Sequence, residues 1–123
     1  MNKADYDQLP LVYSCSGCSS AAQLANRLAL ELDHMQVAEM SCIAGVGGGV
    51  PALVKKAQSG RSIIALDGCH LRCVQHCLEQ AGVKADRHFL LSEFGVKKCY
   101  HQQYDENDVV TLREKIRLQI IEC

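Results

Sequence analysis

The chain has 123 residues, which is enough for one compact domain and too few for a second. Apolar residues make up 48% and charged residues 22%, a globular balance that excludes disorder, collagen-like repeats and membrane residence. Thirteen Lys and Arg against fourteen Asp and Glu leave a net charge of -1, and there are four Tyr, two Phe and no Trp. Neither the basic patch nor the stacking surface of a nucleic-acid binder is present.

Four short apolar runs alternate with amphipathic stretches. Leu9 to Cys15 predicts a first strand, and Ser19 to His34 a helix whose Leu24, Leu28 and Leu32 recur along one face. Ala38 to Ile43 predicts a second strand; the loop Ala44 to Gly49 then leads into a helix opened by Pro51, a residue suited to the first helical turn. Ser62 to Asp67 is almost wholly apolar, as a central parallel strand covered on both faces would be. A helix from about Leu71 to Gln80, closed by Gly82, comes next. Arg87 to Ser92 predicts a fourth strand, and Asp108 to Ile121 a last helix with Asp108 as N-cap and Leu112, Ile116 and Ile120 on one face. The polar stretch Lys97 to Asn107 between them reads as an irregular, mobile loop.

Strands alternating with helices require right-handed crossovers between parallel neighbours. The expected fold is therefore a three-layer α/β/α sandwich with a four-stranded, mainly parallel sheet of flavodoxin-like or Rossmann-like topology, a single domain over residues 1–123.

Eight cysteines are too few for a disulfide scaffold, which begins at roughly 8–10% of residues, and a chain with this apolar content needs no staples. The polar start and the shortness of the first apolar run do not suit a signal peptide, so the expected location is cytoplasmic. There thiols persist, and clustered cysteines point to metal ligation or redox chemistry. Cys15 and Cys18 follow the first strand, Cys42 ends the second, and Cys69 and Cys73 follow the third. All five fall at strand C-termini, the edge at which open α/β sheets bind ligands. Nearby helix N-termini favour thiolates, the form that zinc binds.

A tetrahedral site needs four donors. If Cys69, Cys73 and Cys77 share one helix, each step of four rises about 6 Å, so Cys69 and Cys73 can share an ion and Cys77 is too far from Cys69. The residues then give Cys42, Cys69 and Cys73 with either Cys15 or Cys18 as the zinc ligands. Cys77, Cys99 and Cys123 read as packing or incidental thiols. His34 suits a helix C-terminus and His88 a strand, and His70 and His76 flank the thiols without being required.

Cys15-Ser-Gly-Cys-Ser, Met40-Ser-Cys-Ile-Ala-Gly-Val-Gly-Gly and Ile64-Ala-Leu-Asp-Gly-Cys-His-Leu-Arg-Cys-Val, three ordered motifs over most of the chain, together resemble the DGC-domain proteins, named for the Asp-Gly-Cys motif. The resemblance implies a four-cysteine zinc site on Cys15, Cys42, Cys69 and Cys73, selecting Cys15 over Cys18, and implies no particular reaction. The chain departs from the usual pattern in His70 after the motif and in Cys18 and Cys77, which leaves room for a fifth thiol, ligand exchange or a larger cluster.

Three other chemistries compete. The Cys15-Ser-Gly-Cys-Ser run is also similar to the loop that holds the proximal iron-sulfur cluster of hydrogenase small subunits. A Cys15-x-x-Cys18 redox pair is conceivable, but a thioredoxin-like domain needs antiparallel strands and a cis-proline, and only Pro10 and Pro51 exist. Three thiolates plus solvent would make a small zinc enzyme, with Asp67, Glu93 or His70 as base. A cysteine phosphatase lacks its loop arginine, and Gly45-Val-Gly-Gly-Gly lacks the third glycine and the acidic partner of a dinucleotide fingerprint. The expected partner is a metal ion, with no nucleic acid and no membrane.

Overall fold

A computed structural model describes residues 3–121. In chain order the elements are α1 (Lys3–Tyr6), β1 (Leu11–Ser14), α2 (Ser20–His34), β2 (Glu39–Met40), α3 (Ile43–Gly47), α4 (Pro51–Ala57), β3 (Ile63–Asp67), α5 (Cys73–Gln80), β4 (Arg87–Leu90), a 3-10 turn at Leu91–Phe94 and α6 (Glu106–Ile121). The strands form one parallel sheet in the order β2-β1-β3-β4. Helices α2 and α6 pack against each other, as do α3 and α5, and these two pairs are the outer layers of the three-layer sandwich.

The two inner strands are buried at every position, because helices cover both faces of the sheet there. Leu11 pairs with Ile63 and Ser14 with Leu66, while Asp67 of β3 pairs with Leu90 of β4. Leu24, Leu28 and Leu32 of α2 are fully buried against this sheet. Ser19 caps α2 by accepting the Ala22 N–H at 3.1 Å. In α6 the buried stripe is Val109, Leu112 and Ile116, with Ile120 only partly covered. The expected N-cap, Asp108, lies instead within the first turn, where it favours the positive end of the helix dipole; the helix begins two residues earlier, and the Asp105 carboxylate ahead of it accepts the Asn107 N–H at 2.9 Å.

Further local expectations are corrected. The glycine-rich stretch after β2 is not all loop, since Ile43–Gly47 forms the short helix α3. Cys69, Cys73 and Cys77 do not share one helix: α5 begins only at Cys73, and Cys69 lies in the turn before it. Arg72, at φ 54° in the left-handed region, separates turn from helix, and its N–H donates to the Cys69 carbonyl at 3.1 Å.

Order β2-β1-β3 means that the chain leaves β1 to one side and later returns to its other side. The crossovers after β1 and β3 thus diverge, opening a crevice beyond the carboxyl ends of these two strands.

Candidate functional site

Cys15 is the first residue beyond β1. Its N–H donates to the Leu66 carbonyl at 3.0 Å, extending the β1-β3 ladder by one step, and its Sγ accepts the Gly68 N–H at 3.1 Å. Burial pushes the Cys15 thiol up to about 11; the Gly68 N–H opposes this, and the charges of Asp67, Cys73 and Cys69 add to it. Cys69 and Cys73 are therefore electrostatic neighbours of Cys15. All three line a cavity of about 240 Å³ in the β1/β3 crevice, and Cys18 lines it too. A larger cavity of about 570 Å³ lies at the opposite edge of the sheet near Arg61 and contains no cysteine. The four thiols gather at the smaller one.

The Asp67-Gly68-Cys69 segment has a physical reason at each position. Asp67 is 1% exposed, and its two oxygens accept the N–H groups of Val74 at 2.8 Å and Gln75 at 3.3 Å, so it caps α5 from seven residues upstream. The same carboxylate meets His88 Nε2 at 2.8 Å, tying β4 to the turn. Both oxygens are thus engaged in holding the start of α5 and β4 to the turn. A β-carbon at Gly68 would stand 2.7 Å from the Ala21 backbone carbonyl. Only glycine lets the turn pass this close to α2. Cys69 follows, half-buried, and Cys73 opens α5, exposed.

The far wall of the cavity comes from a segment expected to be mobile. Its backbone is tied down: Ser20 N–H donates to the Cys99 carbonyl at 2.8 Å, Cys99 N–H donates to Ser20 Oγ at 3.1 Å, and Ser19 and Tyr100 form an antiparallel bridge. Lys98 and Tyr100 therefore face the cysteines across the cavity. The Lys98 ammonium interacts with the Tyr100 hydroxyl and the Cys69 sulfur, and lies 5.4 Å from the Tyr100 ring centroid. Neither residue stood out in the sequence, because no local spacing signals a side chain delivered from 30 residues away.

Cys42 is the N-cap residue of α3, exposed, and does not line the cavity. It is a charge neighbour of Tyr13 on β1, which places it toward the β2 side of the same sheet edge. Cys77 lies on α5 with its sulfur directed at Gly47 of α3, where a β-carbon would come within 2.9 Å. Cys99 serves the tether through its backbone, and Cys123 lies outside the described residues. His70 and Glu93 are exposed, and His76 makes a 3.9 Å surface contact with Glu79. The described cysteines are all free thiols. Among the described residues, no group of three or more His, Cys, Asp or Glu side chains is disposed to hold a metal ion as it stands. No helix among them is long and apolar enough to cross a membrane.

A parallel α/β sheet with a thiol-lined crevice, built around Asp-Gly-Cys at the end of β3, defines a class, and the family profile of the DGC domain matches residues 11–116. The chain belongs to the DGC-domain family. It is similar to the anaerobic and virulence modulator AnvM of Pseudomonas aeruginosa, with 58% identity over 106 residues, covering 86% of this chain and 81% of that protein. No solved structure matches the chain.

Proposed function

We propose that the protein binds zinc through Cys15, Cys69 and Cys73 of the crevice, with Cys42 as the fourth thiolate from the neighbouring corner between β2 and α3. The observation that carries this reading is the gathering of Cys15, Cys69 and Cys73 from two crossing segments around one cavity at the topological switch point. Soft thiolate donors suit zinc, and three of the four expected donors share the cavity wall. The thiols must re-orient to hold an ion, and Cys69 and Cys73, in a turn and at a helix start, have the exposure to do so. Cys15 cannot move far, being anchored by Gly68.

When bound, zinc would supply a redox-silent tetrahedral centre. The chain's own residues then do the rest: Asp67 holds the turn that carries Cys69, and Gly68 keeps that turn against α2. A reducing, cytoplasmic setting suits such a site.

Metal analysis and visible spectra of anaerobically purified protein test this. The expected result is about one zinc per chain, colourless, lost in Cys15→Ser, Cys69→Ser and Cys73→Ser, weakened in Cys42→Ser, and retained in Cys77→Ser and Cys99→Ser. A brown protein carrying iron and sulfide overturns the choice of metal. Metal-free protein, or retention in the first three variants, overturns the site.

A further inference from the structure

Loaded with zinc, the thiol cavity would carry an excess of negative charge. Zinc with four thiolates is a doubly negative unit, and the Asp67 carboxylate is buried within the same wall. Two cationic side chains line the cavity, Arg72 and Lys98. Arg72 is exposed and reaches outward to Gln75 Oε1 at 3.4 Å. Lys98, half-buried, lines the cavity beside Tyr100, 5.4 Å from that ring's centroid, with Cys69 as a charge neighbour.

The backbone that carries Lys98 is tethered on both sides. Gly95, at φ 84°, and His101, at φ 64°, bracket the segment Val96–His101 with left-handed turns. Between them, the paired bonds of Ser20 with Cys99 and the bridge of Ser19 with Tyr100 fix the strap on the N-terminus of α2. Ser20 Oγ also donates to the Lys97 carbonyl at 3.5 Å. The backbone on both sides of Lys98 is therefore fixed at the cavity rim, with the ammonium 5.4 Å from the Tyr100 ring centroid.

We propose that Lys98 is the charge-balancing residue of the thiol site, held over the cysteines by the Val96–His101 strap so that the site retains its metal ion. The proposal rests on the zinc-thiolate reading above and adds a positioning residue to it. Lys98 is not a ligand. It acts on the thiolates, as outer-shell partners of metal sites do, where replacement weakens metal affinity by about 10–100-fold.

Zinc affinity, measured on the full chain by competition with a chromophoric chelator, tests it with four proteins: wild type, Lys98→Met, Lys98→Arg and Ser20→Ala. Lys98→Met is expected to bind zinc at least about tenfold more weakly, and Lys98→Arg within about threefold of wild type. Ser20→Ala keeps the charge but loosens the strap, and should fall between them. Raising salt to about 1 M, where the screening length drops to about 3 Å, should weaken wild type toward Lys98→Met and leave that variant nearly unchanged. Lys98→Met within about twofold of wild type, or Lys98→Arg as weak as Lys98→Met, overturns the proposal while leaving the zinc site standing. Wild-type protein that binds no zinc overturns the zinc reading and this one with it. Should Lys98→Met fail to fold, the salt dependence of wild type and Lys98→Arg decides: affinity insensitive to salt overturns the role of charge.

Discussion

The Gly68 N–H donates to the Cys15 sulfur across the ends of β1 and β3, at 3.1 Å. This bond joins the first motif of the chain to the third, 53 residues later. It makes one structural unit of two segments that could otherwise hold their thiols independently.

Gly68→Ala should therefore act on fold and site together. The added methyl would meet the Ala21 carbonyl at 2.7 Å, and backbone on both sides cannot yield as a side chain would. A loss of about 1–3 kcal/mol in urea unfolding is expected, with zinc binding weakened because the Cys15 contact shifts. Unchanged stability would show that the turn can move off α2 freely.

Asp67→Ala should cost more than its size suggests. It strands the Val74 and Gln75 N–H groups and removes the partner of His88, and a buried polar group left unpaired costs about 1–3 kcal/mol. Amide hydrogen exchange should show the first turn of α5 losing protection, while α2 stays protected. Equal loosening of both helices would contradict a local capping role.

Cys77→Ala should leave zinc stoichiometry as in wild type. Cys77 packs toward Gly47 at the contact of α3 and α5, so the change shows in stability, by under about 1.5 kcal/mol for so small a truncation. Loss of metal in this variant would place Cys77 among the ligands.

Stability should decline in acid partly through Glu31 on α2. The hydrogen bond from Arg113 on α6, and the charge of Arg27, hold its carboxyl below the ordinary glutamate value against the opposing effect of partial burial. The folded pKa being the lower, its contribution is fully present above the unfolded value of about 4.3 and is lost as pH falls through the folded one. The pair is partly exposed, so it is worth under about 1 kcal/mol. Urea midpoints of wild type and Glu31→Gln should differ at pH 7 and converge near pH 3. A gap that persists at low pH would point to packing instead of charge.

Periodicity made most elements legible. Leu24, Leu28 and Leu32 announce the buried face of α2, and the run Ile63-Ile64-Ala65-Leu66 announces an inner strand, because burial selects apolar residues at the spacing of the element they belong to. The turn at Cys69 was not legible. Its helix starts late because Arg72 takes a left-handed conformation and because Asp67 reaches from the end of β3 to cap it, and neither fact has a local sequence signal. Helix α3 was hidden for a related reason: glycines at 45 and 47 disfavour a helix locally, yet they admit Leu53 and Cys77 at close range. The two-residue strand β2 lies at the sheet edge and pairs only with β1.

Residue types and their order were enough to set the class of the protein: the parallel α/β architecture, the reservoir of free thiols, and the placing of five cysteines just beyond three strands, since these depend on local patterning and on the general geometry of crossovers. The tertiary structure alone decided which of them meet. The strand order β2-β1-β3-β4 puts the ends of β1 and β3 side by side, so Cys15, Cys18, Cys69 and Cys73 share a cavity while Cys42 stands at the next corner. Strand order and the docking of a distant strap are settled by long-range packing, a sum over the whole core that no short stretch of sequence records.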